Sequence, residues 1–174
     1  FNEVNMKTLK TVRLKPNPSG KDRTRRGGAT AAQLGGEWVD IQNTGATAVD
    51  LTGVTLYHIA YSGATDSGKW EEVMSFNGSL GAGKVLRVHA GNGPLTALHA
   101  IDLQGADYHL FTQRDEYVWN NDRGDCAALW QSGAQDPIDK ACYDAKPPEG
   151  VTLVRVGNKL VVSGTSTASV GVRR

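Results

Sequence analysis

At 174 residues, with 19 basic and 18 acidic side chains, the chain has the size of one ordinary domain with appendages and a formal net charge of +1. No window approaches the roughly twenty apolar residues of a membrane-crossing helix, and none carries the basic start, apolar middle and small-residue cleavage site of a signal peptide. A soluble chain without a helical membrane span is expected, and its opening on Phe1 points either to a removed leader or to excision from a longer protein.

Short apolar runs rich in Val, Leu and Trp, punctuated by Gly, Asn, Asp, Ser and Pro, predict strands throughout. Phe1-Asn-Glu-Val4 reads as the end of a short strand, and Leu9-Lys-Thr-Val-Arg-Leu-Lys15 alternates weakly enough to form another. Pro16-Asn-Pro-Ser-Gly20 is turn chemistry and Arg25-Arg-Gly-Gly28 is loop-like. Glu37-Trp-Val-Asp-Ile-Gln42 alternates strictly and predicts a half-buried strand, after which Val49-Asp-Leu-Thr-Gly-Val-Thr-Leu-Tyr57 supplies a bend and a strand. Further strands are expected at residues 70–76, 84–89 and 108–111 and around Tyr117-Val-Trp119, with a helical turn or two only within 91–104. Lys146-Pro-Pro-Glu-Gly150 interrupts the pattern, because proline cannot donate to a strand ladder. Beyond it, Val151-Thr-Leu-Val-Arg-Val156 and Lys159-Leu-Val-Val162 flank Gly157-Asn158, a specific hairpin signal. The tail from Ser163 is small and polar apart from Val170-Gly-Val172.

Cys126 and Cys142 flank a second predicted hairpin, whose connection is Ser132-Gly-Ala-Gln-Asp-Pro137. Centred on Ala134, that hairpin sets the two cysteines opposite each other, at Cβ spacing close to what a disulfide needs. A bridge favours an oxidising, extracellular setting, while two reduced, buried thiols in a cytosolic or nuclear protein are the alternative. Charge is also uneven. The first 28 residues hold eight basic and two acidic side chains, so the rest of the chain is acidic on balance. This basic stretch suits a polyanion or the acidic body of a neighbouring copy; a solvated loop is the plainer alternative.

Several of these segments resemble, in order and spacing, the bacterial lamin tail domain family. Phe1-Asn-Glu-Val4 is similar to its opening strand, Gly36-Glu-Trp-Val-Asp-Ile-Gln-Asn43 to its next strand, and Val49-Asp-Leu-Thr-Gly-Val-Thr-Leu56 to its Asp-Leu-Ser/Thr-Gly element. Ser79-Leu-Gly-Ala-Gly-Lys-Val-Leu86 resembles the family's Leu-x-Ala-Gly turn and strand, and Trp119-Asn-Asn-Asp-Arg-Gly-Asp125 its Asn- and Gly-rich turn. Val54 stands where the family often has tryptophan, and the first loop is enlarged. The resemblance covers roughly residues 1–4 and 35–143. It implies an all-β, immunoglobulin-like two-sheet antiparallel sandwich with an enlarged basic first loop and an extra C-terminal hairpin. Residues 1–145 would form the sandwich, with 5–34 as the basic insertion, and 146–174 the hairpin and tail. The core is expected from Trp38, Val39, Ile41, Leu51, Leu56, Leu86, Val88, Trp119, Leu129 and Trp130.

Reactive chemistry is sparse. Gly78-Ser-Leu-Gly-Ala-Gly83-Lys84 has phosphate-loop spacing, but Val85 follows where Ser or Thr should hold magnesium, and a strand pattern stands where a helix should begin. His58, His89, His99 and His109 lack zinc spacing, so no metal and no cofactor are expected. The 120–125 segment is read as a plain turn, with a calcium loop as the alternative, and little weight falls on its Arg123-Gly-Asp125 tripeptide as an adhesion motif. Asn77-Gly-Ser79 is both a glycosylation sequon and a turn. No Gly-x-Ser-x-Gly elbow occurs, and no acid pair is set across a cleft by sequence.

The expected function is a non-catalytic structural or binding module, extracellular or at the cell surface, that contacts other proteins and assembles with copies of itself. Seven apolar residues among the twelve of the 151–162 hairpin must cover their own sheet or extend a neighbour's edge. Leu153, Val156, Leu160 and Val162 are therefore expected at a pairing edge, and Arg13, Lys15, Arg23, Arg25 and Arg26 as partner contacts. Two alternatives are sequence-tolerant binding of nucleic acid or another polyanion through residues 7–26, and service as the accessory domain of a secreted hydrolase or nuclease. Nucleic-acid binding is also what the resemblance allows, although the basic segment has no aromatic residues for stacking.

Overall fold

The computed structural model describes residues 6–164, so Phe1-Asn-Glu-Val4 and Val170-Gly-Val172 lie outside the described residues. The chain runs through β1 (Leu9–Lys15), α1 (Ala31–Gly35), β2 (Trp38–Asn43), β3 (Val49–Asp50), β4 (Val54–Ala60) and β5 (Lys69–Ser75). It continues through β6 (Ser79–Leu80), β7 (Val85–His89), β8 (Tyr108–Phe111), β9 (Asp125–Gln131), β10 (Asp139–Tyr143), β11 (Leu153–Val156) and β12 (Lys159–Val162). No helix among the described residues is long and apolar enough to cross a membrane.

The architecture is all-β. Ten strands form one curled sheet in the order β5-β4-β9-β10-β12-β11-β1-β2-β7-β8, and β3 pairs with β6 in a small second sheet. Period-two alternation sends one face of each long strand inward. Leu14, Ile41 and Val88 from one half of the sheet thus share a single core with Leu56, Leu129 and Ala141 from the other. Burying each Leu, Ile or Val of this size contributes about 1.5–3 kcal/mol, an upper bound because the unfolded chain is itself partly collapsed. Truncating Leu129, which is fully buried, to Ala would cost about 2–5 kcal/mol.

The terminal hairpin lies in the middle of the sheet, which corrects the edge expected for Leu153, Val156, Leu160 and Val162. β11 pairs with β1 (Leu14↔Leu153), and β12 meets β10 at Cys142↔Lys159. Leu153 and Leu160 are core residues, Val162 packs against the core, and Val156 alone is largely exposed, at 62%. Arg155 fixes the hairpin: its Nη1 and Nη2 donate to both oxygens of buried Asp139 on β10 at 2.8 and 2.9 Å. Of the two outcomes open to an apolar hairpin, this one covers its own core.

Three further expectations are corrected. Residues 5–34 are not simply an insertion loop, because β1 is a central strand whose Leu9, Thr11 and Leu14 are buried. β2 is buried on both faces rather than one, because the crossover joining parallel strands β7 and β8 passes over its outer side. That crossover, residues 92–106, contains the helical turns foreseen for the region, at Leu95–Ala97 and Ala100–Leu103. Finally, Tyr117-Val-Trp119 forms no strand. The backbone N–H groups of Val118 and Trp119 donate to the Glu37 carboxylate instead of to a neighbouring strand.

The Cys126–Cys142 disulfide is present, joining directly opposed residues of β9 and β10 with Cα atoms 4.0 Å apart. Of the expected core residues, Trp130 and Trp38 stand on the outer face of the sheet, Trp130 half-buried and Trp38 buried in the polar layer beneath the crossover.

Candidate binding surfaces

The cations expected to contact a partner divide into two groups. Arg13 and Lys15 point from β1 to the outer face of the sheet, where Arg13 Nε donates to Asp40 Oδ2 at 2.8 Å and Lys15 Nζ to Asp102 Oδ1 at 2.6 Å. Asp40 also takes two hydrogen bonds from Arg87, at 2.7 and 2.8 Å, while Arg87 Nη1 donates to the carbonyls of Asp102 and Gln104. The Arg87 guanidinium is 1% exposed and lies 3.6 Å from the centroid of the Trp38 ring, whose own Nε1 donates to Asp102 Oδ1. Buried charges persist only when paired and hydrogen-bonded, and here each one is. The network fastens the crossover to the sheet, and at its far end Gly35 is required: a Cβ there would come within 2.7 Å of Leu98. Lys15 is therefore withdrawn from solvent, and Arg13 is half withdrawn.

The second group is presented outward. After β1 the chain is tethered to the segment before β11, since Gly150 N donates to Asn17 O, Asn17 Nδ2 to Pro147 O and Gly20 N to Glu149 Oε1. It is tethered again where Tyr117 OH donates to Asp22 O and where Thr30 caps α1, its hydroxyl accepting from Gln33 N at 3.0 Å. Between these ties, Lys21, Arg23, Arg25 and Arg26 are all exposed. Arg23 donates to Gly27 O, and neither hydrogen bond nor ion pair is formed by the side chains of Lys21, Arg25 and Arg26 among the described residues. Four cations and one carboxylate, Asp22, thus occupy a six-residue tip.

Two arrangements of titratable groups escaped the sequence reading. Burial works against protonating His58, but hydrogen bonds and charges from Asp125 and Glu71 prevail and raise its pKa above the ordinary 6.5. Its Nδ1 meets Asp125 at 3.0 Å and its Nε2 meets Glu71 at 3.1 Å, so both ring nitrogens are engaged. The neighbouring hollow has about 10 Å³, room for one water. His89 lies beneath the crossover. Its Nδ1 is 2.6 Å from the Gly35 carbonyl, which can only accept, so Nδ1 carries the proton and Nε2 accepts from His109 Nδ1 at 2.8 Å. Burial first, then the nearby His109 and Arg87, lowers its pKa to about 4. Glu37 is the third buried group; desolvation pushes its carboxyl well above the usual range, against the two backbone hydrogen bonds that favour the anion.

The 120–125 segment is a turn built around a buried carboxylate. Asp125 accepts from Ile59 N, Asn120 N, Asn120 Nδ2 and Cys126 N as well as facing His58. Gly124, at φ +71°, is needed because a Cβ would strike the Tyr143 carbonyl. Arg123 points away, over the Tyr61 ring, so Arg123 and the buried Asp125 do not form an exposed adhesion tripeptide. The Gly78 to Lys84 segment carries β6 and a turn into β7, not a helix. No cluster of three or more metal-ligating side chains occurs among the described residues.

A comparison of the chain with protein-family models matches no family, and a search of curated proteins gives no match.

Proposed function

We propose that this protein is a non-catalytic binding module of the lamin-tail type, an immunoglobulin-like sandwich working outside the cell or at its surface, that holds an anionic partner with the tip formed by Lys21, Arg23, Arg25 and Arg26. The tip carries the reading: four exposed cations, tethered on both sides, face solvent without a matching carboxylate cluster among the described residues. The sandwich interpretation is supported by the two halves of the curled sheet sharing one core, and the extracellular setting by the disulfide. His58, Asp125 and Glu37 have their hydrogen bonds taken up by one another, by the Glu71 and Asn120 side chains and by backbone, which favours a structural use of these groups. The tip has no aromatic residue to stack on bases, so recognition depends on charge and weakens steeply with salt. The test is retention on double-stranded DNA and on heparin at low salt. Wild-type protein should be retained and a triple Arg23→Ser, Arg25→Ser, Arg26→Ser variant should flow through with unchanged thermal unfolding; equal retention of the two would overturn the reading.

Assembly with copies of itself is favoured by a different observation. Among the described residues the long sheet ends at β5 and β8. β5 is guarded by Lys69, Glu71 and Glu72, and Arg114 donates to its Glu72 and Val73 carbonyls. β8, Tyr108-His-Leu-Phe111, bears no formal charge and exposes Tyr108 by 51%. Such an edge is a template for strand addition. Light scattering at low and high salt tests this: a salt-insensitive oligomer that Leu110→Lys dissociates supports edge pairing, and a monomer under both conditions removes it.

A further inference from the structure

The outer face of β4, β5 and β9 holds a feature that the basic tip does not explain. Strand register sets Thr55 opposite Trp130 and Tyr57 opposite Ala128, whose small side chain leaves room for rings, while Trp70 stands opposite Ile59 on the other flank. Trp130 is packed edge-on against both neighbours, its centroid 5.4 Å from Tyr57 at 86° and 5.1 Å from Trp70 at 70°. Its Nε1 donates to the Gln135 carbonyl, which fixes the indole on the loop that joins β9 to β10. A trough of about 450 Å³ results, lined by these three rings and by Thr55, Gln131 and Gln135 among others. Trp70 remains 40% exposed in it.

Two features define what the trough suits. Its volume falls in the range of small-molecule sites, about 300–1,000 Å³. Its lining carries no charged side chain; the polar groups are hydroxyls and carboxamides. An aromatic floor with a neutral hydrogen-bonding rim matches a ligand with an apolar ring face and hydroxyls around its edge. We infer that this trough binds a sugar residue of a neutral glycan, one pyranose face stacked on the exposed Trp70 indole beside Trp130 and its hydroxyls directed to Gln135 and Thr55.

An ammonium cage uses similar residues but needs rings splayed around a void. Here Trp130 packs edge-on against each of the other two rings and fills the space beside them, leaving outward faces for stacking. An anionic ligand lacks a cation in the lining.

The experiment is a tryptophan-fluorescence titration of the whole chain with β-1,4-linked oligosaccharides of glucose, xylose and N-acetylglucosamine, with choline as a separate arm. One of the sugars should give a saturable change. Trp70→Ala should weaken that binding about tenfold or more, the loss of about 1.4 kcal/mol that one stacked ring supplies. Because Trp70 is 40% exposed, the variant should stay folded with its unfolding midpoint lowered only by the lost contact with Trp130, and the triple arginine variant of the tip should bind the sugar as wild type does, which separates this inference from the charge-based one. Absence of saturation by every oligosaccharide at millimolar concentration, saturation by choline alone, or unchanged affinity in Trp70→Ala would each overturn it.

Discussion

Arg13 and Lys15 leave β1 and run straight into carboxylates, whereas Lys21, Arg23, Arg25 and Arg26, a few residues further along, meet none. The residue types are the same and the sequence separation is small. What differs is the segment that lies above them. The crossover brings Asp102 and the carbonyls of Asp102, Gln104 and Gly105 down onto the outer face of β1, β2 and β7, turning cations there into internal fasteners. Nothing comparable among the described residues covers the tip, so its cations are available to something else. A count of basic residues in the first 28 positions therefore overstates the binding surface, because part of that charge holds the protein together.

The contrast is broken most severely at Asp40. Asp40→Ala leaves Arg87 buried beside Trp38 without its bidentate partner, and removing one member of a buried pair costs about 3–5 kcal/mol. Denaturant unfolding should show that loss, while Arg26→Ala at the tip should move stability by no more than about 0.5 kcal/mol. Similar small effects at both positions would mean that the buried network is not holding the crossover.

A pH series probes the same covered face at the next level of effect. His89 keeps a pKa of about 4 in the fold against an ordinary 6.5, so between these values the unfolded chain binds a proton that the native protein does not. Its contribution to stability is intact above pH 6.5 and is lost as pH falls toward 4, to a total of about 3 kcal/mol. His58 has the opposite sign: its raised pKa stabilises below pH 6.5, and that contribution fades as pH rises through the folded-state value. The informative measurement is the difference between wild type and His89→Gln, whose unfolding free energy should lose the His89 part of the slope between pH 4 and 6.5, while His109, whose pKa burial also lowers, keeps its own part. A slope unaltered by the substitution would show that His89 is not held neutral.

Much of the strand pattern was legible because alternation and turn chemistry are local. The Gly157-Asn158 hairpin and the register that sets Cys126 opposite Cys142 follow from a few consecutive residues. What escaped depends on partners distant in sequence. Glu37 takes the backbone donors of Val118 and Trp119 more than eighty residues away, which converts an expected strand into a tethered loop. The hairpin's place inside the sheet follows from pairing between β11 and β1, at opposite ends of the chain. The histidine pair His89 and His109 is joined only through the parallel register of β7 and β8. One local signal was readable and overlooked: Thr30-Ala-Ala-Gln33 has the spacing of a capping box, and Thr30 does cap α1. For the binding surface, Arg23, Arg25 and Arg26 were correctly placed in a loop, but Lys15 was not distinguishable from them without knowing what Asp102 does.

The Thr30 cap gives a smaller test, because it secures one end of the loop that carries the tip. Thr30→Ala should cost about 1 kcal/mol and make the bonds around residues 21–28 more susceptible to protease. Anion retention should survive at reduced strength, since the cations remain but lose one of their ties. An unchanged proteolysis pattern would show that the ties at Gly20 and Asp22 suffice.

The smallest effect on stability is expected where the effect on binding is largest. Replacing Arg23, Arg25 and Arg26 by Ser removes three exposed guanidiniums, of which Arg23 alone makes a hydrogen bond among the described residues, to the nearby Gly27 carbonyl. Stability should stay within about 0.5 kcal/mol of wild type. On double-stranded DNA, each cation that neutralises a phosphate adds about 0.9 to the slope of log affinity against log salt, so the triple variant should flatten that slope by about 2–3. The slope separates charge placed at the tip from charge spread over the molecule. If affinity falls while the slope holds, Lys7, Lys10 and the remaining surface cations carry the phosphate contacts, and the division between covered and uncovered cations does not set the binding surface.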